Sequence, residues 1–349
     1  MAQFTDYSSI LDNRVKTIYP VTSANVPEEY SKYTNKVDER QYQYTVQGIT
    51  GLSMGEIIAD GQVPGTDAPI QGFSKTYTQA IFTKRVRFTK QAYYYLFQAK
   101  NAKKIDENVK KDITDLKNSI VWLKNYYAQS LLANGFTTSF TFSPIGGFGG
   151  TVTVDTTGID GVAYWSASHP REDGGTAWSN LVFSGTNNPV FSFTSLLAAR
   201  TQHVNKKDGR GLPLLGSSLD TLLVQDKSQA YHLAMSIKKT LSEGKYPSAN
   251  PGTSGSFVDA APTDSFEIIP LMPFGTTSTG VTSLMWFMLD KSMIKDAFGL
   301  QYIQSMDTEL SDVVTDYVGN MDLVATATEY CQIGGADMRY WMASNGTGA

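Results

Sequence analysis

From Ile105 onward the apolar positions step by three or four residues: Ile105, Val109, Ile113, Leu116, Ile120, Leu123, Tyr127 and Leu131. That period puts them on one face of a helix and leaves Lys, Asp, Glu and Asn on the others. Asn134-Gly135 supplies the stop, through the left-handed conformation that glycine gives to helix ends. Roughly 30 residues at 1.5 Å each predict a rod of about 45 Å, long for a globular protein. It is either a coiled-coil-like core helix or a strut for an extended subunit.

On both sides of the rod the pattern changes. Ala80, Phe82, Val86 and Phe88 alternate and predict a strand, preceded by a glycine-rich stretch, 50–72, with Pro64 and Pro69. Together they predict a long hairpin-like excursion. Residues 1–47 show no sustained period and read as an arm, which Tyr30, Tyr33, Tyr42 and Tyr44 can anchor along a neighbour. After the rod, 136–142 and 151–154 alternate around Gly146-Gly147 and Gly149-Gly150, a hairpin signal. A helix is predicted over 192–204, capped by Thr194 or Ser195, then a buried strand over 219–224 and a helix over 228–241. Residues 244–262 read as a loop. Strands follow at 266–272 and 284–289, joined by a turn around Gly275 and Gly280, and strand-like runs at 323–331 and 338–342. The chain is mixed α+β without an internal repeat.

Composition sharpens this. In 349 residues, enough for two domains or one discontinuous unit, 41% are apolar but only 18% charged, with 19 Tyr, 17 Phe and 5 Trp. A charge-poor, aromatic-rich chain suits a subunit that hides its faces against copies of itself; a monomer with a large core is the plainer alternative. Net charge is −4, so the basic footprint of a dedicated nucleic-acid binder is missing. Cys331, the only cysteine, excludes an internal disulfide and a multi-cysteine zinc site. The polar first ten residues lack a signal-peptide core, and no apolar run reaches the length of a membrane span. A soluble protein made in a cytoplasm is expected.

Charge is segregated along the chain. Lys75, Lys84, Arg85, Arg87, Lys90, Lys100, Lys103 and Lys104 fall in a stretch without acids. Asp296, Asp307, Glu309, Asp312, Asp316, Asp322, Glu329 and Asp337 fall in a stretch without bases. Either these are two solvated faces, or the basic hairpin of one subunit lies across the acidic segment of a neighbour. On the second reading, charge reversal at Lys84, Arg85 and Arg87 blocks assembly.

Candidate chemistry is sparse. His169, His203 and His232 have no metal-ligand spacing. A pairing of His169 with Ser166 or Ser168 would need convergence in space; the plainer reading is a polar turn ordered by its histidine. Cys331 reads as a small buried residue. Gly146–Gly150 lacks the Lys-Ser/Thr of a phosphate loop, and Asp307, Glu309 and Asp312 lack the glycine and spacing of a calcium loop. Asn345-Gly-Thr is a glycosylation triplet without secretory context. Trp165, Trp178 and Trp286 read as core or interface anchors. No catalytic, cofactor-binding or metal residue is assigned.

The order of parts is the most informative feature. An arm, a glycine-rich loop with its strand, a rod ending Leu131-Leu132-Ala133-Asn134-Gly135 and then an α/β region resemble the Hong Kong 97 fold of phage capsids. The segment Tyr164-Trp165-Ser166-Ala167-Ser168-His169-Pro170, followed by Gly174-Gly175 and Ser179-Asn180-Leu181, resembles Mu-like major head subunits. The strand-then-helix over 219–241 is similar to that family's entry into its axial domain. The closing run 325–341, with Arg339, is similar to its terminal strands.

The resemblance implies an N-terminal arm over 1–47, an E-loop over 48–90 and a peripheral domain with spine helix over 91–184. An axial domain over 185–300 and return strands over 301–349 complete it. It implies a major capsid protein without enzyme activity or cofactor, assembled in the host cytoplasm into the virion shell. Its partners would be identical subunits in hexamers and pentamers, portal and scaffold or decoration proteins, and packaged DNA bound without sequence preference, with no membrane. Some members crosslink an E-loop lysine to a neighbour's asparagine. Lys75 lies in the right region, but neither the partner nor the assisting acid has a match here. The arm is short for a built-in scaffold, which implies a separate one or none. Rival readings are an encapsulin-type compartment, a tail structural protein and a hydrolase using His169.

Overall fold

The structure is a computed structural model that describes residues 4–39, 41–58, 60, 62–89, 102–146, 150–185, 187–214, 217–242, 266–274, 280–295, 298–315 and 323–348. The predicted loop 244–262, Gly147, Gly149 and Gly275 lie outside them. Helix α1 spans Phe4–Ile18 and the rod, α2, spans Ala102–Asn134. In the first half of α2 the predicted stripe holds: Ile105, Val109, Ile113, Leu116 and Ile120 are buried, with polar residues around them. Further on the stripe widens to the whole circumference, and from Lys124 to Ala133 every side chain is buried. At 1.5 Å per residue its 33 residues make a rod of about 50 Å.

The rod ends for a reason other than the one expected. Gly135 is not among the glycines with positive φ. A Cβ there would lie 2.7 Å from Trp165 Nε1, so close approach of the indole, not a left-handed turn, requires glycine. Trp165 Nε1 donates to Leu132 O at 2.7 Å, which satisfies a carbonyl left open at the helix end, and Asn134 Nδ2 donates to Ser130 O at 2.8 Å.

A five-stranded sheet packs on the rod: β1 (Thr34–Asp38), β4 (Ala80–Phe88), β10 (Leu300–Leu310), β11 (Val314–Thr315) and β12 (Leu323–Gly335). β12 is its centre, pairing antiparallel with β4 along one edge and with β10 and β11 along the other. Phe82 and Phe88 of β4 are buried as the alternation predicts, Val86 half-buried, and Ala80 exposed. β1 joins parallel to β10, a strand that the polar Gln, Asp and Glu of its sequence concealed.

The arm is more ordered than its lack of period implies. Helix α1 buries Leu11 and Val15 beside Phe88, Ile105, Val109 and Ile113. Arg14 pairs with Asp106, and Asp12 accepts from Val313 N at 2.9 Å. Beyond α1, polar residues of the rod bind the backbone of the arm. Lys117 Nζ donates to Tyr19 O and Thr22 O, and Asn118 Oδ1 accepts from Asn25 N and Val26 N. Asn125 Oδ1 accepts from Glu29 N and Tyr30 N.

A second sheet runs β13 (Trp341–Ser344), β9 (Trp286–Leu289), β7 (Thr221–Gln225), β8 (Glu267–Leu271). The predicted turn between β8 and β9 does not make them neighbours, because β7 lies between them, parallel to β8. Helices α3 (Phe193–Val204) and α4 (Gln229–Ser242) cover this sheet with Leu196, Ala199, Ala234, Ile237 and Leu241. The cap of α3 is Ser192, two residues before the first expected position: its side chain accepts from Ser195 N while Ser195 Oγ accepts from Ser192 N. The hairpin β5 (Ser139–Phe142) and β6 (Val152–Asp155) forms as predicted. One apolar cluster ties the rod to both sheets, with Trp165 5.3 Å from Phe287 and 5.8 Å from Trp341 between ring centroids. Among the described residues no helix is long and apolar enough to cross a membrane.

Inside this junction Lys124 Nζ lies 3.2 Å from both carboxylate oxygens of Glu329, and Tyr302 Oη also donates to Glu329. Breaking a buried pair strands a charge, whereas removing both partners does not. Lys124→Met is therefore expected to cost about 3–5 kcal/mol in urea unfolding, and Lys124→Met with Glu329→Met markedly less.

Candidate assembly interface

Strands β2 (Gln43–Ile49) and β3 (Gln71–Thr78) form an antiparallel ribbon in register Gln43↔Thr78 to Gln47↔Ser74. Its root is buried: Val46 and Tyr77 pack with Ile159, Ile303 and Ala336. At its outer end a Cβ on Gly72 would meet Gly48 O at 2.7 Å, so the strands approach closely enough to require glycine. This places the hairpin in β2 and β3, while the strand assigned to it from the sequence, β4, belongs to the central sheet.

Between these strands the loop 50–70 crosses solvent. Asp67 anchors its base, accepting from Ser53 N and Oγ at 2.7 Å each and from Arg210 Nη1 at 2.8 Å. These bonds, Ser53 first, hold the Asp67 carboxyl well below the usual carboxylate range. The outer part is apolar and uncovered: Ile57 is fully exposed, Val63 91% and Met54 72%, with Leu52 and Ile58 also exposed. Burying one such side chain is worth about 1.5–3 kcal/mol, so the loop carries a strong drive toward a surface it does not meet among the described residues. Its only charges over 51–74 are Glu56, Asp60 and Asp67.

A groove of about 680 Å³ lies between α2 and β4. Trp122, Tyr126, Ile145 and Phe274 make it apolar, and Lys84 and Arg85 stand on its rim. Trp122 meets Phe274 edge-on at 5.7 Å yet stays 43% exposed, and Ile145 is 59% exposed. Among the described residues neither Lys84 nor Arg85 has an ion-pair partner, and no loop residue lines the groove.

The segregated charges meet differently from the expectation. β4 pairs with β12 of its own chain, so the basic and acidic segments share one sheet. Lys84 and Arg85 face Ala327 and Thr326 there, not acids. Glu329 is taken by Lys124, Asp312 by Lys16 and Asp337 by Arg339. Two neighbouring subunits are not needed to bring the segments together. Lys90, Lys100, Asp296, Asp316 and Asp322 lie outside the described residues, as does the side chain of Asp307.

The singled-out chemical residues are occupied. His169 Nδ1 lies 2.7 Å from Asp160 Oδ2 and its ring stacks on Trp178 at 4.1 Å; Ser166 Oγ instead accepts from Ser168 N. That histidine orders a turn. His203, which the sequence did not connect to anything, contacts Ser217 Oγ at 2.6 Å, and Ser217 donates to Asp290 at 2.8 Å. The serine proton therefore goes to the aspartate and the imidazole supplies its own N–H, the reverse of a nucleophile with its base. Burial, with Lys206 nearby, pushes His203 down to about 3, so it stays neutral. Cys331 is fully buried and burial raises its thiol. Lys75 pairs with Asp155 at 3.0 Å and also binds Thr157. Trp165, Trp178 and Trp286 are buried within the chain. Asn345 Oδ1 accepts from Thr347 N and Oγ1. Among the described residues no group of three His, Cys, Asp or Glu is placed to hold a metal ion.

No family model matches the chain and no curated protein is similar to it in sequence. Solved structures similar in shape include the virus-like particle from Pyrococcus furiosus, 8% identical at a TM-score of 0.43, covering 97% of this chain and 99% of that one. The capsid of an empty GTA particle is 12% identical at 0.47, covering 92% and 91%. The acidic stable capsid of Helicobacter pylori bacteriophage KHP30 is 10% identical at 0.48, covering 92% and 86%.

Because Arg210 holds the loop base from a separate segment, Arg210→Ala is expected to speed proteolytic nicking within 51–66 several-fold. An exposed pair of this kind contributes little to global stability, so the melting transition should barely move.

Proposed function

We propose that this chain is a self-assembling shell subunit, the major capsid protein of a tailed-phage head. The observation that carries the reading is the loop 50–70, which holds Met54, Ile57 and Val63 in water on a ribbon rooted firmly in the body. A monomer gains nothing from that arrangement. A lattice of copies does, since each loop then finds the same receiving surface on its neighbour and symmetry repeats the contact until the shell closes.

The groove between α2 and β4 fits the role of that receiving surface. Its aromatic floor suits Met54, Ile57 and Val63, and its rim charges, Lys84 and Arg85, are opposite to Glu56 and Asp60 of the loop. The reading keeps the idea of complementary charge between subunits and moves the acids from the closing segment to the loop. Each exposed pair adds about 0.2–1 kcal/mol, so specificity rises from repetition, while apolar burial supplies most of the drive. On the resemblance to the Hong Kong 97 fold, the lattice is one of hexamers and pentamers around a genome, and the net charge of −4 keeps the wall from adhering to DNA. The order of arm, ribbon, rod and α/β region supports the Hong Kong 97 comparison, and the run from Tyr164 to Pro170 with Ser179-Asn180-Leu181 is what supports the Mu-like one.

Size-exclusion chromatography with electron microscopy tests the reading: closed particles are expected for the wild type. Ile57→Asp should leave free subunits or small oligomers. Lys84→Glu with Arg85→Glu should suppress assembly at moderate salt, and adding Glu56→Lys with Asp60→Lys should restore it. A wild type that stays monomeric at high concentration, or shells forming normally from Ile57→Asp, would overturn the proposal.

A further inference from the structure

Among the described residues Glu29 is a carboxylate buried without an ion-pair partner, at the point where three parts of the fold meet. Glu29 is 2% exposed and opens the short turn Tyr30–Lys32 of the arm. Its two oxygens each lie 3.1 Å from Met272 N, just past the end of β8. Gln129 Nε2 of the rod lies 3.4 Å from Oε1 and also donates to Met272 O at 3.1 Å. Asn125, one turn earlier on the rod, holds Glu29 N at 2.9 Å and donates to Pro27 O. The side chain thus bridges arm, rod and second sheet through a single carboxyl group.

Among the described residues no cation forms an ion pair with it, and Lys32 on the same turn acts only at a distance. From the rod come only the uncharged Asn125 and Gln129, since Lys124 is turned to Glu329. From the second sheet comes Asp226, following β7, a like charge. The arm supplies exposed Lys32 on the same turn, and buried Tyr33, whose hydroxyl has no hydrogen-bond partner among the described residues. Among the described residues Glu29 has no ion pair, whereas Glu329, at a similar depth, has Lys124. A buried, unpaired carboxylate is costly, and the cheapest relief is either to hold a proton or to leave.

We propose that Glu29 is a proton-controlled latch, which docks the arm segment 27–33 on the rod and second sheet when protonated and loosens that junction when ionised. Tyr30 and Tyr33 keep this stretch of arm in the apolar cluster, so ionisation acts on the polar half of the junction, where Asn125 holds the arm backbone and Glu29 holds Met272 N. Burial first, opposed by the Met272 amide and Lys32, pushes the Glu29 carboxyl up from 4.5 to about 7. A folded-state value above the unfolded one means the docked form binds the proton more tightly. Its stabilisation is complete below about 4.5 and is lost as pH rises through about 7. The device acts within one subunit and stands apart from the shell reading.

Amide exchange on the full-length subunit, corrected for intrinsic rates, tests it. Between pH 5 and pH 8, protection of peptides covering 27–33 and of the Met272 amide should fall at least about tenfold in the wild type, since one pKa unit corresponds to tenfold. Glu29→Gln should stay protected at both. Lys32→Gln should move the wild-type midpoint to higher pH and Asp226→Asn to lower pH, shifts that a packing role alone does not produce and that remain readable if Glu29→Gln folds poorly. A flat wild-type profile, a parallel fall in Glu29→Gln, or midpoints unmoved by both neighbour substitutions would overturn the latch.

Discussion

Burial of the rod on all sides between Lys124 and Ala133 is the constraint on which the rest depends. A helix face can be covered by one sheet, but a full circumference needs several partners at once. Here the five-stranded sheet, the arm, the hairpin β5–β6 and the second sheet all converge on the same turns of α2. Polar side chains caught inside must then be satisfied individually. Lys124 takes Glu329, Asn125 takes arm backbone, Gln129 takes Met272 O, and Leu132 O near the helix end takes Trp165. These specific bonds fix the angle at which each part meets the rod.

The same constraint explains where the structure is left incomplete. Parts held by the junction are packed from several sides, so segments leaving it can be long without collapsing onto the body. The ribbon β2–β3 is rooted by Val46 and Tyr77 and clamped at its outer end by Asp67 and Arg210, and only then does the chain expose its apolar loop. Rigidity at the root gives an exposed loop a defined direction, which a contact repeated over many copies needs. The groove beside Trp122 lies where the rod, β4 and Phe274 border one another and nothing among the described residues covers them.

Much of this was legible in the residues themselves. The apolar stripe from Ile105 to Leu131 located the rod, alternation located Phe82 and Phe88, and glycine with proline located the exposed loop. Each of these is a local signal, set by backbone period or by turn chemistry. Other elements gave no such signal. Helix α1 rests on little more than Leu11 and Val15, too few for a period, and becomes a helix because α2 offers a surface for them. Asn118, Asn125 and Gln129 look like a solvated face and instead bind the arm. Trp165 was recognisable as an anchor, but that its indole is the reason for glycine at position 135 was not. His203, Ser217 and Asp290 come together from segments with no spacing rule between them.

By itself, then, the sequence determined the rod, the hairpin after it, the strand and helix over 219–241 and the glycine-rich loop, because each arises from neighbours within a few residues. Tertiary structure decided which strands became partners, which acids met which bases, and which polar groups were sealed from water. Those outcomes depend on segments as far apart as Glu29 and Met272 or Lys124 and Glu329 reaching the same low-dielectric space. No period or motif along the chain records that meeting.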